Sequence, residues 1–310
     1  MSTQKQKATL GASLIVISSV FYASYGIWTK LMGDAFGGYM AAGIRSILVL
    51  LILLGIAFLF KKLEPLRLRR TWPYLVGMFV SALGVWGPLY YAILHGGVGI
   101  GLTVSYACIV IGMFIFGWLF AKERFGKDKF IAATLGIVGL ILIYLPSMSA
   151  GISLLALGAA AISGFMTAFN MTLVKQIPQG ATQSIILGWA AGSIANLIMA
   201  YILHETAPAL AWNTKWLALA AFVVVSVVAS WSFTVGLKMI DAGIAGILGL
   251  LEIVFAVLFG VLFFDEHPNG VVLLGVIAII ISAAVPYATA WRLDRRAKRL
   301  GRLKLASKRA

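Results

Sequence analysis

The chain has 310 residues, 61% of them hydrophobic and 11% charged, with a mean hydropathy of +0.99 and a formal net charge of +15. A soluble domain carries about 25% charged residues, so a globule surrounded only by water is excluded and lipid must be part of the solvent. The single cysteine, Cys108, excludes an intramolecular disulfide.

A membrane-spanning helix needs roughly 20 mostly apolar residues. Ten such runs follow one another, at 9–32, 37–60, 72–94, 98–121, 129–147, 151–175, 182–203, 214–238, 243–264 and 269–291. Connections between them are too short for a soluble domain. Strands of a membrane barrel alternate apolar and polar residues over about ten positions. These runs are longer and do not alternate, so the spans are predicted to be helices. Lys5 and Lys7 precede the first run as they do in a cleaved leader. That run is of spanning length, however, and lacks a clear small-x-small cleavage site, so it is read as a retained first span.

In the first span Ser18, Tyr22, Tyr25, Gly26 and Thr29 fall within about a third of the helix circumference. Two tyrosines on that stripe carry hydroxyls that want partners, which favours a cavity wall. Arg45 is the only basic residue deep within a span; a cluster of backbone carbonyls, Glu252 and a substrate carboxylate are the options for it, and a structural role is the favoured reading. The third span contains GVWGPLYY (84–91), where Gly87-Pro88 predicts a kink. Trp86, Tyr90 and Tyr91 there either stack on substrate or anchor the helix at the interface. The fourth span presents Gly101, Ser105, Cys108 and Gly112 on a narrow face. The sixth presents Ser163, Thr167 and Asn170, and the eighth Ser226, Ser230 and Thr234. In the ninth, Gly246, Gly249, Ala256 and Gly260 form a small-residue face with Glu252 at its border. Small residues at such spacing also let helices pack closely in lipid with no cavity at all. For the fourth and ninth spans packing is the favoured reading.

Glu252 is the tenth residue of its 22-residue span, close to mid-depth. A charge there costs roughly 2.5–3.5 kcal/mol on insertion scales, and a carboxyl avoids much of that by holding a proton. Proton coupling is therefore one expectation for Glu252; a hydrogen-bonded tie between helices is the second, and contact with a substrate amine the third.

The positive charge is one-sided. With the N-terminus in the cytoplasm and ten alternating spans, 22 of the 25 Lys and Arg lie on the cytoplasmic side. Both termini are then cytoplasmic, in a bacterial inner membrane. The basic tail, 292–310, orients the protein and touches anionic lipid; it lacks the interleaved aromatics of a nucleic-acid platform, and no nucleic-acid partner is expected. His95, His204 and His267 fall on the other face without ligand spacing, so no metal and no cofactor is expected.

Residues 89–123 and 233–266 resemble each other. Each ends a helix, crosses a glycine-bearing turn, spans again and closes with an acid. Gly117, Phe120 and Glu123 match Gly260, Phe263 and Glu266 at one offset of 143, and Lys30 and Lys175 close the first and sixth spans. Five spans per repeat is odd, so the second half enters the membrane inverted, as in many secondary transporters. The predicted architecture is an all-α membrane protein of ten transmembrane helices in two inverted five-helix repeats, 1–147 and 148–291, followed by the tail 292–310.

The stretches YYAILHGGVGIG, WLFAKERFG and LLEIVFAVLFGVLFFDE, with Arg45 in AGIRSILVL, resemble the EamA-type ten-helix members of the drug/metabolite transporter superfamily. The resemblance covers nearly all of 9–291. Such proteins usually carry Leu-Glu-Pro where this chain has Leu251-Glu252-Ile253, which removes a proline hinge here. The resemblance implies a proton- or exchange-driven carrier, often an exporter of amino acids or other small metabolites. It also implies a cavity lined by helices 1, 3, 4, 6, 8 and 9, with 5 and 10 peripheral. Neither HExxH nor GxSxG occurs and only one acid is deep, so an enzyme is not expected. A channel prefers rings of like groups, whereas the residue matching Glu252 is Ile109. Taken together, the expected substrate site contains Tyr22, Tyr25, Arg45, Trp86, Tyr90, Ser105, Asn170, Ser230 and Thr234, with Glu252 as the proton carrier. One cation, one anion and aromatic walls suit a zwitterion such as an amino acid. A hydrophobic cationic drug, held by cation–π contact, is the other substrate, and a facilitator or exchanger without proton coupling is the other mechanism.

Overall fold

The computed structural model describes residues 3–65, 68–147 and 153–307. Lipid offers no partners to backbone N–H and C=O groups, so apolar runs of this length satisfy them internally as helices. The helices are α1 (Thr3–Ala23), α2 (Tyr25–Met32), α3 (Gly38–Leu59), α4 (Leu68–Gly96), α5 (Val98–Ala121) and α6 (Lys127–Tyr144). They continue as α7 (Leu154–Gln176), α8 (Ala181–Ile202), α9 (Thr214–Leu237), α10 (Ala242–Gly249), α11 (Leu251–Phe264) and α12 (Gly270–Ser307).

Nine helical stretches among the described residues are long and apolar enough to cross a membrane. The tenth, α6, has 18 residues and opens on Lys127, Asp128 and Lys129, so its apolar part is shorter. The boundary expected between 147 and 148 adjoins residues outside those described. The backbone of the basic tail extends α12 as far as Ser307; its side chains lie outside the described ones.

Two spans are interrupted. α1 stops and α2 starts at Ser24, whose Oγ donates to the Phe21 carbonyl at 2.7 Å and accepts from Trp28 Nε1 at 3.1 Å. Serine back-bonding of this kind competes with the helical ladder. The ninth span breaks at Leu250, where Leu250 N–H donates to Ile247 O and Ile253 N–H to Leu250 O, the tighter i→i+3 pattern. α4, in contrast, runs unbroken through Pro73 and Pro88.

Helices of the two halves interlock. α1 packs on α9, α3 on α8, α4 on α7, α5 on α10, and α6 on α12. Each pair joins one helix from residues 3–147 to one from residues 153–307. Exchanging the halves turns the α1–α9 pair into the α7–α4 pair and returns the other three to themselves, as an inverted repeat requires. Buried apolar side chains fill these seams: Ile15, Phe233 and Leu237 between α1 and α9; Val49, Leu53 and Ile185 between α3 and α8; Met78 and Leu173 between α4 and α7. In the α6–α12 seam the backbones come close. A Cβ on Gly139 would lie 2.7 Å from the Gly275 carbonyl oxygen, and Ser282 Oγ donates across the seam to Ala132 O at 2.6 Å. Only glycine permits that backbone approach.

Candidate functional site

A cavity of about 240 Å³ lies between the interlocked pairs. α1 and α2 reach it through Tyr22 and Tyr25, α3 through Arg45 and Ser46, and α4 through Ala82, Val85 and Trp86. Asn170 and Thr167 enter from α7, Trp189 and Asn196 from α8, and Ser230 and Thr234 from α9.

The polar groups are held by local bonds that leave specific atoms free. Asn170 Nδ2 donates to Ser81 Oγ at 2.8 Å, and Trp189 Nε1 donates to Ser230 Oγ at 3.1 Å. Ser230 Oγ in turn donates to the Ser226 carbonyl at 2.7 Å. Arg45 is 6% exposed, and its Nε–H has no hydrogen-bond partner; the Asn196 Oδ1 is likewise buried and unpartnered. The guanidinium lies 4.2 Å from the Phe222 ring centre, 5.1 Å from Tyr25 and 5.7 Å from Trp86. Aromatic faces attract a cation but do not neutralise it. No residue on the cavity wall among those described is an Asp or Glu.

Of the residues expected at the site, the structure brings together Tyr22, Tyr25, Arg45, Trp86, Asn170, Ser230 and Thr234. It places two elsewhere. Tyr90 is 66% exposed, on the outside of α4. Ser105 is buried in the α5–α7 seam, where its backbone carbonyl meets Gly164 so closely that a Cβ there would collide. α5 and α10–α11 do not line the cavity; α3 and α8 do. The fourth-span stripe is thus used for packing: Gly112 abuts Ala168 and Phe165 as Gly164 abuts Ser105 and Cys108. α6 and α12 lie away from the cavity and pack on each other. Trp189 and Asn196 were missed. Their i, i+7 spacing with Gly192 and Ser193 between them is a polar stripe in the seventh span.

Glu252 stands apart from the cavity wall, in the first turn of α11, just after the break at Leu250. Tyr106 Oη of α5 donates to its Oε1 at 2.8 Å. Tyr22, which does line the cavity, meets Tyr25 edge-on with ring centres 5.1 Å apart. Tyr106 has no counterpart among the expected site residues, because one tyrosine in an apolar helix carries no periodic signal.

One end of the molecule is tied by a polar network; it is the end that carries the lysine- and arginine-rich loops. Glu123, just past α5, accepts from Lys175 Nζ at the end of α7 and, at 2.8 Å, from the Ala242 amide that opens α10. Lys175 also donates to Ile240 O at 2.6 Å. The carboxylate at a helix N-terminus is favoured by the helix dipole. Beside it Lys129 pairs with Asp241. Lys238 donates to the carbonyls of Ile177 and Gln179 at 2.9 and 3.0 Å, and burial pushes its pKa down to about 8. Gln179 Nε2 completes the tie by donating to Thr71 Oγ1 of α4 at 3.0 Å.

The EamA-like transporter family matches residues 9–145 and, a second time, 151–287. The chain is 25% identical over 226 residues to the uncharacterized transporter YwfM of Bacillus subtilis (strain 168), covering 69% of this chain and 74% of that one. A solved crystal structure superposes with a TM-score of 0.75 at 16% identity, over 91% of this chain and 98% of the other, and shows the same fold.

Proposed function

This chain belongs to the EamA-like transporter family, a multi-pass membrane transporter of the drug/metabolite superfamily, and from that premise we propose that it exports small zwitterionic metabolites, amino acids first among them. The observation that carries the substrate class is Arg45: a buried cation on the wall of a central cavity, with no carboxylate on that wall among the described residues. An isolated buried charge is costly. A substrate carboxylate supplies the missing counter-charge, the free Asn196 Oδ1 accepts from an amine, and Tyr25 and Trp86 flank an apolar side chain. The volume of about 240 Å³ supports the same reading, since pockets for drug-sized ligands run to roughly 300–1,000 Å³. A hydrophobic cation would meet Arg45 there instead of an acid.

The transport cycle is alternating access, one set of interlocked helices rocking against the other around the cavity. The arginine- and lysine-rich end faces the cytoplasm, as the positive-inside rule favours, in a bacterial inner membrane, with the basic tail against anionic lipid. Glu252 carries the coupling proton. What supports this role is a carboxyl at mid-depth, bonded to one tyrosine and set in the first turn after the break in its span.

The test is uptake of a radiolabelled amino-acid panel into proteoliposomes, with and without an imposed pH gradient, for wild type and Glu252→Gln. The gradient should drive accumulation in the wild type alone. Equal equilibration by both proteins, gradient or not, would make Glu252 a packing residue and the protein a facilitator or exchanger.

A further inference from the structure

The network at the basic end has a counterpart at the other end that is complete in residues and incomplete in contacts. Glu123 and Glu266 occupy equivalent positions just beyond α5 and α11. The residue before each, Lys122 and Asp265, has the same left-handed backbone, φ 54° and ψ 32°. Each glutamate donates its amide to the carbonyl of the glycine six residues earlier, Glu123 to Gly117 at 3.2 Å and Glu266 to Gly260 at 3.1 Å. Each folds its carboxylate back under that glycine. Lys175 and Lys30 are likewise equivalent, each in the last turn of its helix, α7 and α2. Ala242 and Val98 are the first residues of α10 and α5, so the two repeats present the same acid, the same base and the same helix amino terminus.

At the basic end the three are joined. Glu123 and Lys175 have side chains only 12% and 13% exposed, and both reach the start of α10. At the far end they are not. Lys30 Nζ lies 3.7 Å over the Phe264 ring, two residues from Glu266, yet makes no ion pair with it among the described residues. The Glu266 carboxylate has no hydrogen-bond donor among those residues and is exposed, and the α11 backbone lies farther from α5 than that of α10 does.

We propose that Lys30, Glu266 and the amino terminus of α5 are the far-end gate: when the basic end opens, Glu266 takes Lys30 and the Val98 amide as Glu123 now takes Lys175 and the Ala242 amide. The two sets are alternatives, because α5 supplies Glu123 at one end and the Val98 amide at the other, while α10–α11 supplies the Ala242 amide and Glu266. Rocking the two helices together at one end parts them at the other, with the Tyr106–Glu252 hydrogen bond between. The halves are not equal. Lys129 and Asp241 reinforce the basic-end set, whereas Val272 and Gly97 stand at the equivalent positions and cannot form a pair. The asymmetry favours the conformation seen here, closed at the basic end.

The proposal rests on the alternating-access reading, and the experiment separates the two. Spin labels are placed at His95→Cys and His267→Cys, which flank the far-end set, in a Cys108→Ser background, and their separation is measured by pulsed electron resonance in nanodiscs. Glu123→Gln should raise a short-distance population several-fold, since loosening one state shifts the equilibrium to the other. Lys175→Gln should do the same if Glu123→Gln fails to fold. Adding Glu266→Gln or Lys30→Gln should abolish that population. A short-distance population that persists unchanged in Glu266→Gln and in Lys30→Gln overturns the gate and leaves alternating access standing. In parallel, Ala82→Cys on the cavity wall is probed with an impermeant thiol reagent from each side. If it reacts from one side only in every variant and no short distance ever appears, alternating access itself fails and the gate with it.

Discussion

Arg45 shows how far one residue can be read. In the sequence it is a lone cation in an apolar span, compatible with a structural tie as well as with a binding role. The structure removes the nearest structural explanation, because Glu252 bonds to Tyr106 and the Arg45 guanidinium meets aromatic faces. Under the proposed function a substrate carboxylate supplies the counter-charge. Hydrogen bonds to charged groups contribute about 1.5–3 kcal/mol, which is roughly a 10- to 150-fold change in affinity. Arg45→Gln should therefore weaken binding of a carboxylate substrate by about that factor, measured as the half-saturating concentration in proteoliposomes. It should leave binding of the corresponding amide nearly unchanged. Equal loss for acid and amide would mean that Arg45 supports the fold of the cavity and does not contact the carboxylate.

Elements were legible where their signal is length and hydropathy, and illegible where it is contact. The ten apolar runs, their order and the inverted duplication follow from chain chemistry alone, because a backbone in lipid has only one economical conformation for runs of that length. The breaks at Ser24 and Leu250 do not, since serine is common within spans and the Leu250 break leaves no mark in composition. The set of cavity helices implied by the resemblance differs from the observed wall, which takes described residues from α3 and α8 and none from α5 or α10–α11. Small residues on α5 serve close packing against α7 and look the same in sequence as residues that line a void, while the bulky Trp189 on α8 turns out to line one. Where packing is the use, substitution has a definite cost. Gly139→Val places side-chain carbon against the Gly275 carbonyl in the α6–α12 seam; overpacking of this kind costs about 1–3 kcal/mol. It should appear as an earlier thermal melt in detergent, with transport at low temperature retained, since neither helix lines the cavity. A melt unchanged from wild type would mean that the seam relaxes without cost.

For the whole molecule, orientation in the membrane decides which side each end faces. The network of Glu123, Lys175 and Lys238 and the run of basic loops are at one end; Glu266, Lys30 and the loop bearing Trp212 are at the other. Retention of Lys- and Arg-rich loops on the cytoplasmic side favours the first end inside, and under the proposed gate that end is the closed one. In a Cys108→Ser background, Trp212→Cys sits at a position 95% exposed and should react with an impermeant maleimide on intact cells. Lys62→Cys, also exposed, should react only after the cells are permeabilised. The reverse pattern would turn the molecule over. The reinforced gate would then close the outside, and the favoured resting state would present its cavity to the cytoplasm. The same residues would then serve a carrier that loads from within at rest, so the label on one tryptophan position fixes the side from which the resting carrier takes its substrate.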